Sequence, residues 1–383
     1  MSEYTVKINE NGKIAVDDTI LVKDYPCAAG SKILDGFVPL YSAEAVVRLE
    51  NAGYEISGKT AVGEFGLDLA GEFSRDGAVT DNGNITSAAA KLVADDKIDA
   101  AICVDLNGAP RRAAAFSGVT FVKPTYGTVS RYGVIPCACS GEQIGVMAKC
   151  ADKAAEILSV IAGHDAKDGT SLPDEKYEYS TDLSVQNMKI AVLNMGDEAA
   201  VKALTAKLEN AVEIDFPLAN EANSAWAILM AAETCNNISR YDGVKFGYRA
   251  EKYKNIDELY VNSRTDGLNL LTKENILYGS FVLSKDKYFS CYDKALRIRR
   301  LVCEYFDEIF AKYDAVIMPA VSKKYQEYDI KAAFSTVFAE SIYTSPALIA
   351  GLPAVVSDGV QLVGPAFSES KLLSLAKFVK GAK

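Results

Sequence analysis

Runs of apolar residues suited to strands alternate with stretches of helical period along the whole chain. Ile14-Ala15-Val16 predicts a short strand. Ala43 to Ala52 places Ala, Val and Leu at helical spacing and stops at Gly53, predicting a helix with a glycine end. Tyr54-Glu55-Ile56 predicts the next strand, Ser87 to Val93 an alanine-rich helix, and Ala100 to Val104 a buried strand. Ala154 to Ile161 reads as an apolar helix, Lys189 to Leu193 as a strand, and Asp314 to Met318 as a strand stopping at Pro319. Tyr288 to Lys312 predicts a long helix whose basic cluster, Lys294, Arg297, Arg299 and Arg300, faces solvent or a partner. Strands and helices in alternation predict an α/β fold, a central mixed sheet flanked by helices on both faces. The charged stretch from Gly163 to Thr181 reads as an exposed connection rather than a domain boundary.

Composition narrows the classes. The chain has 383 residues and a net charge of −10, which gives no indication of direct nucleic-acid binding. No apolar run is long enough for a membrane span, and the first residues do not resemble a signal peptide. Eight dispersed cysteines, several in apolar contexts, predict buried free thiols in a reducing, cytoplasmic setting. Cys137-Ala138-Cys139 lacks zinc spacing, so neither a metal site nor a cofactor is expected. The only histidine, His164, follows a glycine after a helical stretch and reads as a turn residue.

The most distinctive segment is Asp105-Leu106-Asn107-Gly108-Ala109-Pro110-Arg111. Together with Ala114 to Gly118 and Lys123-Pro124-Thr125-Tyr126-Gly127, it resembles the nucleophile segment of the amidase signature family. That family reads Asp-Thr-Gly-Gly-Ser-Ile-Arg there. Further segments resemble the family's glutamyl-tRNA amidotransferase A-subunit branch: Ser31 to Phe37, Gly58-Lys59-Thr60, Lys123 to Gly133, Ile161 to Asp165, Asp168 to Ser171, Arg240 to Arg249 and Ala350 to Ala354. They occur in order over nearly the whole chain. The resemblance implies the amidase signature fold, a single domain over residues 1–383. It also implies an N-terminally shortened form, because the family's helical leader is missing.

Members of that family hydrolyse amides with a Ser-Ser-Lys triad: a lysine base at a strand end, a relay serine in a glycine loop, and a nucleophilic serine beside oxyanion-binding N–H groups. The resemblance carries these positions onto Asp17, Gly83 and Ala109, so none of the three functional groups is present. Asp105, Gly108 and Arg111 would keep the frame, with an Asp105–Arg111 ion pair shaping the loop. The family's substrate-gripping arginine falls on Asn275, a pocket tyrosine on Trp226, and an ammonium-binding aspartate on Ser341. Asp17 and Asp18 are neighbours that would point to opposite faces of a strand, so they make no dyad.

Losing a hydrolase nucleophile costs on the order of 10⁶ in turnover, roughly 8 kcal/mol of barrier. The resulting expectation is a catalytically inactive homologue of the amidotransferase component, acting as scaffold or regulator beside B- or C-subunit-like proteins. The alternative is a small-molecule binding protein, or an enzyme of this fold with altered chemistry.

Overall fold

The computed structural model describes residues 3–81, 84–174, 176–195, 199–206, 208, 211–322 and 333–381. Its strands are β1 (Tyr4–Lys7), β2 (Ile14–Asp17), β3 (Ile56–Thr60), β4 (Thr80–Asp81), β5 (Asn84–Ile85), β6 (Ala100–Asp105), β7 (Thr120–Lys123), β8 (Gln143–Ala148), β9 (Ile190–Leu193), β10 (Ala211–Ile214), β11 (Ala315–Pro319), β12 (Ala354–Ser357) and β13 (Val360–Val363). β4 and β5 pair antiparallel as a small two-stranded sheet. The other eleven make one sheet in the order β1-β3-β2-β6-β8-β7-β12-β13-β11-β9-β10. The sheet is mixed: β2 runs parallel to β3 and β6, and β9 parallel to β10 and β11, while the β6-β8-β7-β12-β13-β11 run is antiparallel.

Period-two alternation assigns the sheet's two faces. On β11, Val316 and Met318 join the core with Trp226 and Phe306, from helices Ala219–Ile238 and Tyr292–Phe310. Ala315 and Ile317 point the other way, into the core with helices Glu44–Asn51, Ala151–Ile161 and Glu369–Gly381. The expected α/β architecture is therefore present.

Several predicted boundaries move. The strand expected at Tyr54–Ile56 starts at Ile56 and runs to Thr60. Its Ser-Gly-Lys-Thr sequence does not look apolar, yet every residue is buried, because the polar groups find partners. Ser57 Oγ donates to Ile14 O at 3.1 Å, and Lys59 Nζ pairs with Asp18 at 3.0 Å. The helix expected from Tyr288 begins at Tyr292, after a run of turns. Arg297 and Arg300 pair one turn away with Asp293 and Glu304 on its exposed side. The 163–181 stretch is not exposed throughout. Asp165 and Asp168 are buried, accepting hydrogen bonds from Ser130 Oγ and Arg131 N at 2.7 Å each. His164 lies in irregular backbone there, ahead of the turn at Ala166-Lys167 rather than in it, its Nδ1 2.9 Å from Leu172 O.

The neighbouring parallel strands β2 and β6 bring their carboxyl ends together. Loops leaving strand carboxyl ends are where open α/β sheets build sites, and both loops of interest leave from here.

Candidate active site

β6 ends on Asp105 and the chain turns into the helix Ala109–Ser117. Asp105, fully buried, organises the turn. Its Oδ1 accepts from Gly108 N at 2.8 Å, and its Oδ2 accepts from Arg111 Nε at 2.6 Å. Arg111 Nη1 reaches Gln361 Oε1 on β13 at 2.6 Å, and Gln361 Nε2 donates onward to Tyr343 O at 2.7 Å. Gly108 has φ +87°, and a Cβ there would stand 2.4 Å from Thr344 Cγ2. Backbone strain and steric overlap both disfavour a side chain. Pro110 in the first helical turn starts the helix. The Asp105–Arg111 pair expected from sequence is thus formed, within a frame whose polar groups are matched.

Asp17 ends β2 and is buried. Thr60 Oγ1 donates to its Oδ1 at 2.9 Å and Val104 N to its Oδ2 at 3.1 Å. Burial pushes this carboxyl up to about 7, against the pull of those two donors and of Cys103. Asp18 turns instead to Lys59.

Asp17 and Ala109 line one pocket, with Thr19, Asp68, Ser87 and Pro110, and the accessible space is about 30 Å³. The groups facing it include a carboxyl held near neutrality, a methyl and two hydroxyls. Asp68 also helps build the wall: its carboxyl accepts from Gly71 N at 3.1 Å and Phe73 N at 2.8 Å. Burial, and Glu72 beside it, raise the Asp68 carboxyl well above the usual range. Gly83 lies outside the described residues.

A second pocket, of about 10 Å³, also includes a residue of the Asp105–Arg111 loop. Trp226, Asn275 and Ser341 all line it, with Asn107 and Asn223. Ser341 Oγ donates to Asn107 Oδ1 at 3.0 Å, and Arg112 Nη2 reaches Ser341 Oγ at 3.4 Å and Thr344 Oγ1 at 3.0 Å. Sequence reasoning missed Thr19, Asp68, Ser87, Asn107 and Asn223. Two carried a signal: Asn107, by its place inside the Asp105–Arg111 loop, and Ser87, at the head of the alanine-rich helix.

The other recognised segments hold the frame. Lys123 Nζ is buried and donates to Gln143 Oε1 at 2.8 Å and Leu352 O at 2.6 Å, tying two motifs together. Tyr248 N donates to Ile33 O at 2.6 Å, joining the Arg240–Arg249 and Ser31–Phe37 stretches. Among the described residues, no cluster of three or more His, Cys, Asp or Glu could hold a metal ion. No helix there is long and apolar enough to cross a membrane.

Comparison with known proteins places this geometry. The family model described as Amidase matches residues 13–373. The A subunit of glutamyl-tRNA(Gln) amidotransferase from Coxiella burnetii is 35% identical, the match covering 94% of this chain and 81% of that protein. Its counterpart from Lachnoclostridium phytofermentans is 35% identical over 97% of this chain and 83% of its own. Among solved structures, the Thermotoga maritima counterpart superposes with a TM-score of 0.79 at 24% identity, covering 98% of this chain and 86% of that one. The peptide amidase of Stenotrophomonas maltophilia gives 0.75 at 24% identity, covering 96% and 82%. The fold is the amidase signature fold.

Proposed function

Since this chain belongs to the amidase family, we propose that it is a member that has lost the family's amide-hydrolysing reaction and works through its surface, as a scaffold or regulator. The observation that carries this reading is the pocket shared by Asp17 and Ala109. The resemblance puts the base at the first and the nucleophile at the second. A methyl cannot attack a carbonyl, and a carboxyl fixed by Thr60 and Val104 N does not replace a lysine amine base in that register. The missing nucleophile alone removes on the order of 10⁶ in turnover.

The partners would resemble the B and C components of a glutamyl-tRNA amidotransferase, in the cytoplasm. A surface feature supports contact with another protein. The helix Leu270–Val282 buries Leu271, Asn275 and Val282 on one side and exposes Leu270, Leu277 and Phe281 along another, at helical spacing. An apolar outer stripe on a surface helix marks a place where a partner sits. Affinity capture from native cells tests this. Co-purification of one or two defined proteins in fixed ratio supports the scaffold, whereas a chain recovered alone contradicts it.

A second reading, a binder of small molecules or an enzyme of altered chemistry, is favoured by one observation. Three polar atoms at the second pocket have no partner among the described residues: Asn223 Oδ1, Trp226 Nε1 and Asn275 Oδ1. A thermal-shift screen with amides, amino acids and nucleotides separates the two readings. Stabilisation by one chemical class favours binding.

A further inference from the structure

The three unpartnered atoms have a fixed sense. Asn223 Nδ2 donates to Phe338 O at 2.7 Å, and Asn275 Nδ2 donates to Leu271 O at 2.9 Å. Those contacts set both amides, leaving the two Oδ1 atoms as the groups without partners. The indole Nε1–H is a donor only. The side chains are more than nine-tenths buried: Asn223 is 3% exposed, Trp226 1% and Asn275 1%. The pocket they line therefore offers two acceptors and one donor.

The guest that matches must donate twice and accept once. Its size is set by the space, about 10 Å³. One water needs roughly 10–15 Å³ of such space, and buried waters make about three hydrogen bonds. Charge points the same way. Among the described residues, the lining holds no acidic or basic side chain, and the cation adjoining it is Arg112, hydrogen-bonded to the lining Ser341. A cation would meet that guanidinium, and an anion would meet two amide oxygens.

What fills the remaining room is the indole. A Cβ added to Gly141 would stand 2.0 Å from Trp226 Cη2, so the ring lies directly over a position that only glycine fits. Met230, Val337 and Ala227 line the pocket beside it.

We infer that Trp226 plugs this pocket from within, and that the site accepts one neutral guest, a single water that donates to Asn223 Oδ1 and Asn275 Oδ1 and accepts from Trp226 Nε1. Identifying this space as the former substrate pocket rests on the reading in the preceding subsection; the plug and its water do not. The consequence is exclusion. An amino acid or its amide has no room and finds no charged anchor, and this favours a surface function over small-molecule binding.

Trp226 is the chain's only tryptophan, so its fluorescence reports on this pocket alone. In the intact protein, the expected result is a blue-shifted emission, poorly quenched by acrylamide and unchanged by millimolar glutamine, asparagine, glutamate or acetamide. A saturable shift with any of these overturns the inference. The reading of lost chemistry is scored separately, by ammonia release: a shift without ammonia would sink the plug and leave that reading standing. Trp226→Ala should gain an indole-sized cavity, so added indole should raise its Tm by several degrees and leave the wild type unmoved. Equal response in both proteins counts against the plug. If the variant does not fold, a high-resolution crystal structure of the intact chain decides. One density peak within hydrogen-bond reach of the three atoms supports the inference. An empty pocket, a larger molecule, or an indole rotated out of place overturns it.

Discussion

The frame around the Asp105–Arg111 loop and the pocket beneath it differ in how their residues are used. In the frame, each polar group answers another. Asp105 holds Gly108 N and Arg111, Arg111 holds Gln361, and Gln361 holds Tyr343 O. Removing any of them leaves a buried charge or dipole unmatched, so the frame serves folding as well as any chemistry. In the pocket, Ala109 is a methyl facing about 30 Å³ of space. A serine hydroxyl there would serve a substrate and little else. On the proposed reading, groups on which the fold depends would outlast a reaction, and groups that only a substrate needs would be free to change.

That contrast can be broken at named positions, the most damaging first. Arg111→Met should break the frame. It leaves Asp105 buried and unpaired and Gln361 without its donor, and loss of one partner of a buried pair costs about 3–5 kcal/mol. Urea unfolding reads the loss directly, and a variant within experimental error of wild type would show that the frame is dispensable.

The next prediction concerns Asp17. Its carboxyl lies at about 7 in the folded chain, against 3.8 when unfolded. Between those values the folded state keeps a proton that the unfolded state has released. Its contribution to stability is therefore most favourable below the unfolded value and declines as pH rises to about 7. Asp17→Asn keeps both contacts, with the amide oxygen accepting from Val104 N and the amide N–H₂ donating to Thr60. The variant should match wild type in acid and exceed it above neutrality by at most roughly 4 kcal/mol, at about 1.4 kcal/mol per pH unit. Parallel stability–pH curves for the two proteins would refute the buried titration.

Gly108→Ala comes third. Positive φ and overlap with Thr344 together should cost roughly 1–3 kcal/mol, measured in the same urea experiment. Ala109→Ser should matter least, within about 0.5 kcal/mol of wild type. A large change there would mean that position 109 belongs to the frame after all. The triple variant Asp17→Lys, Gly83→Ser and Ala109→Ser is expected to gain no glutamine hydrolysis, because on the inference above the Trp226 indole plugs the second pocket as well. Turnover in that variant would show the scaffold still able to position a triad.

The fold was largely legible in the sequence because its strands announce themselves. Ala100 to Val104 and Asp314 to Met318 are apolar runs with clear stops, and β6 and β11 fall on them within a residue or so. β3 was legible only in part, since its buried Lys59 and Ser57 depend on partners that sequence does not reveal, Asp18 for one and Tyr4 for the other. The site divides in the same way. The loop Asp105 to Arg111 is one contiguous motif and could be read. The pocket walls come from remote segments: Ser341 meets Asn107 across 234 residues, and Asn223 meets Phe338 across 115. Ser341 was reached only through the resemblance, and no local pattern marks Asn107 or Asn223 as its neighbours, because those contacts join the Asp105–Arg111 loop and the helix Ala219–Ile238 to the remote segment holding Phe338 and Ser341.

Whether the frame has outlived the reaction is decided by ammonia release from glutamine, measured on the purified wild-type chain. The expected rate is no higher than the buffer blank and is unchanged by Ala109→Gly. Ammonia release that follows the protein through successive purification steps and scales with its concentration would show that the reaction has survived.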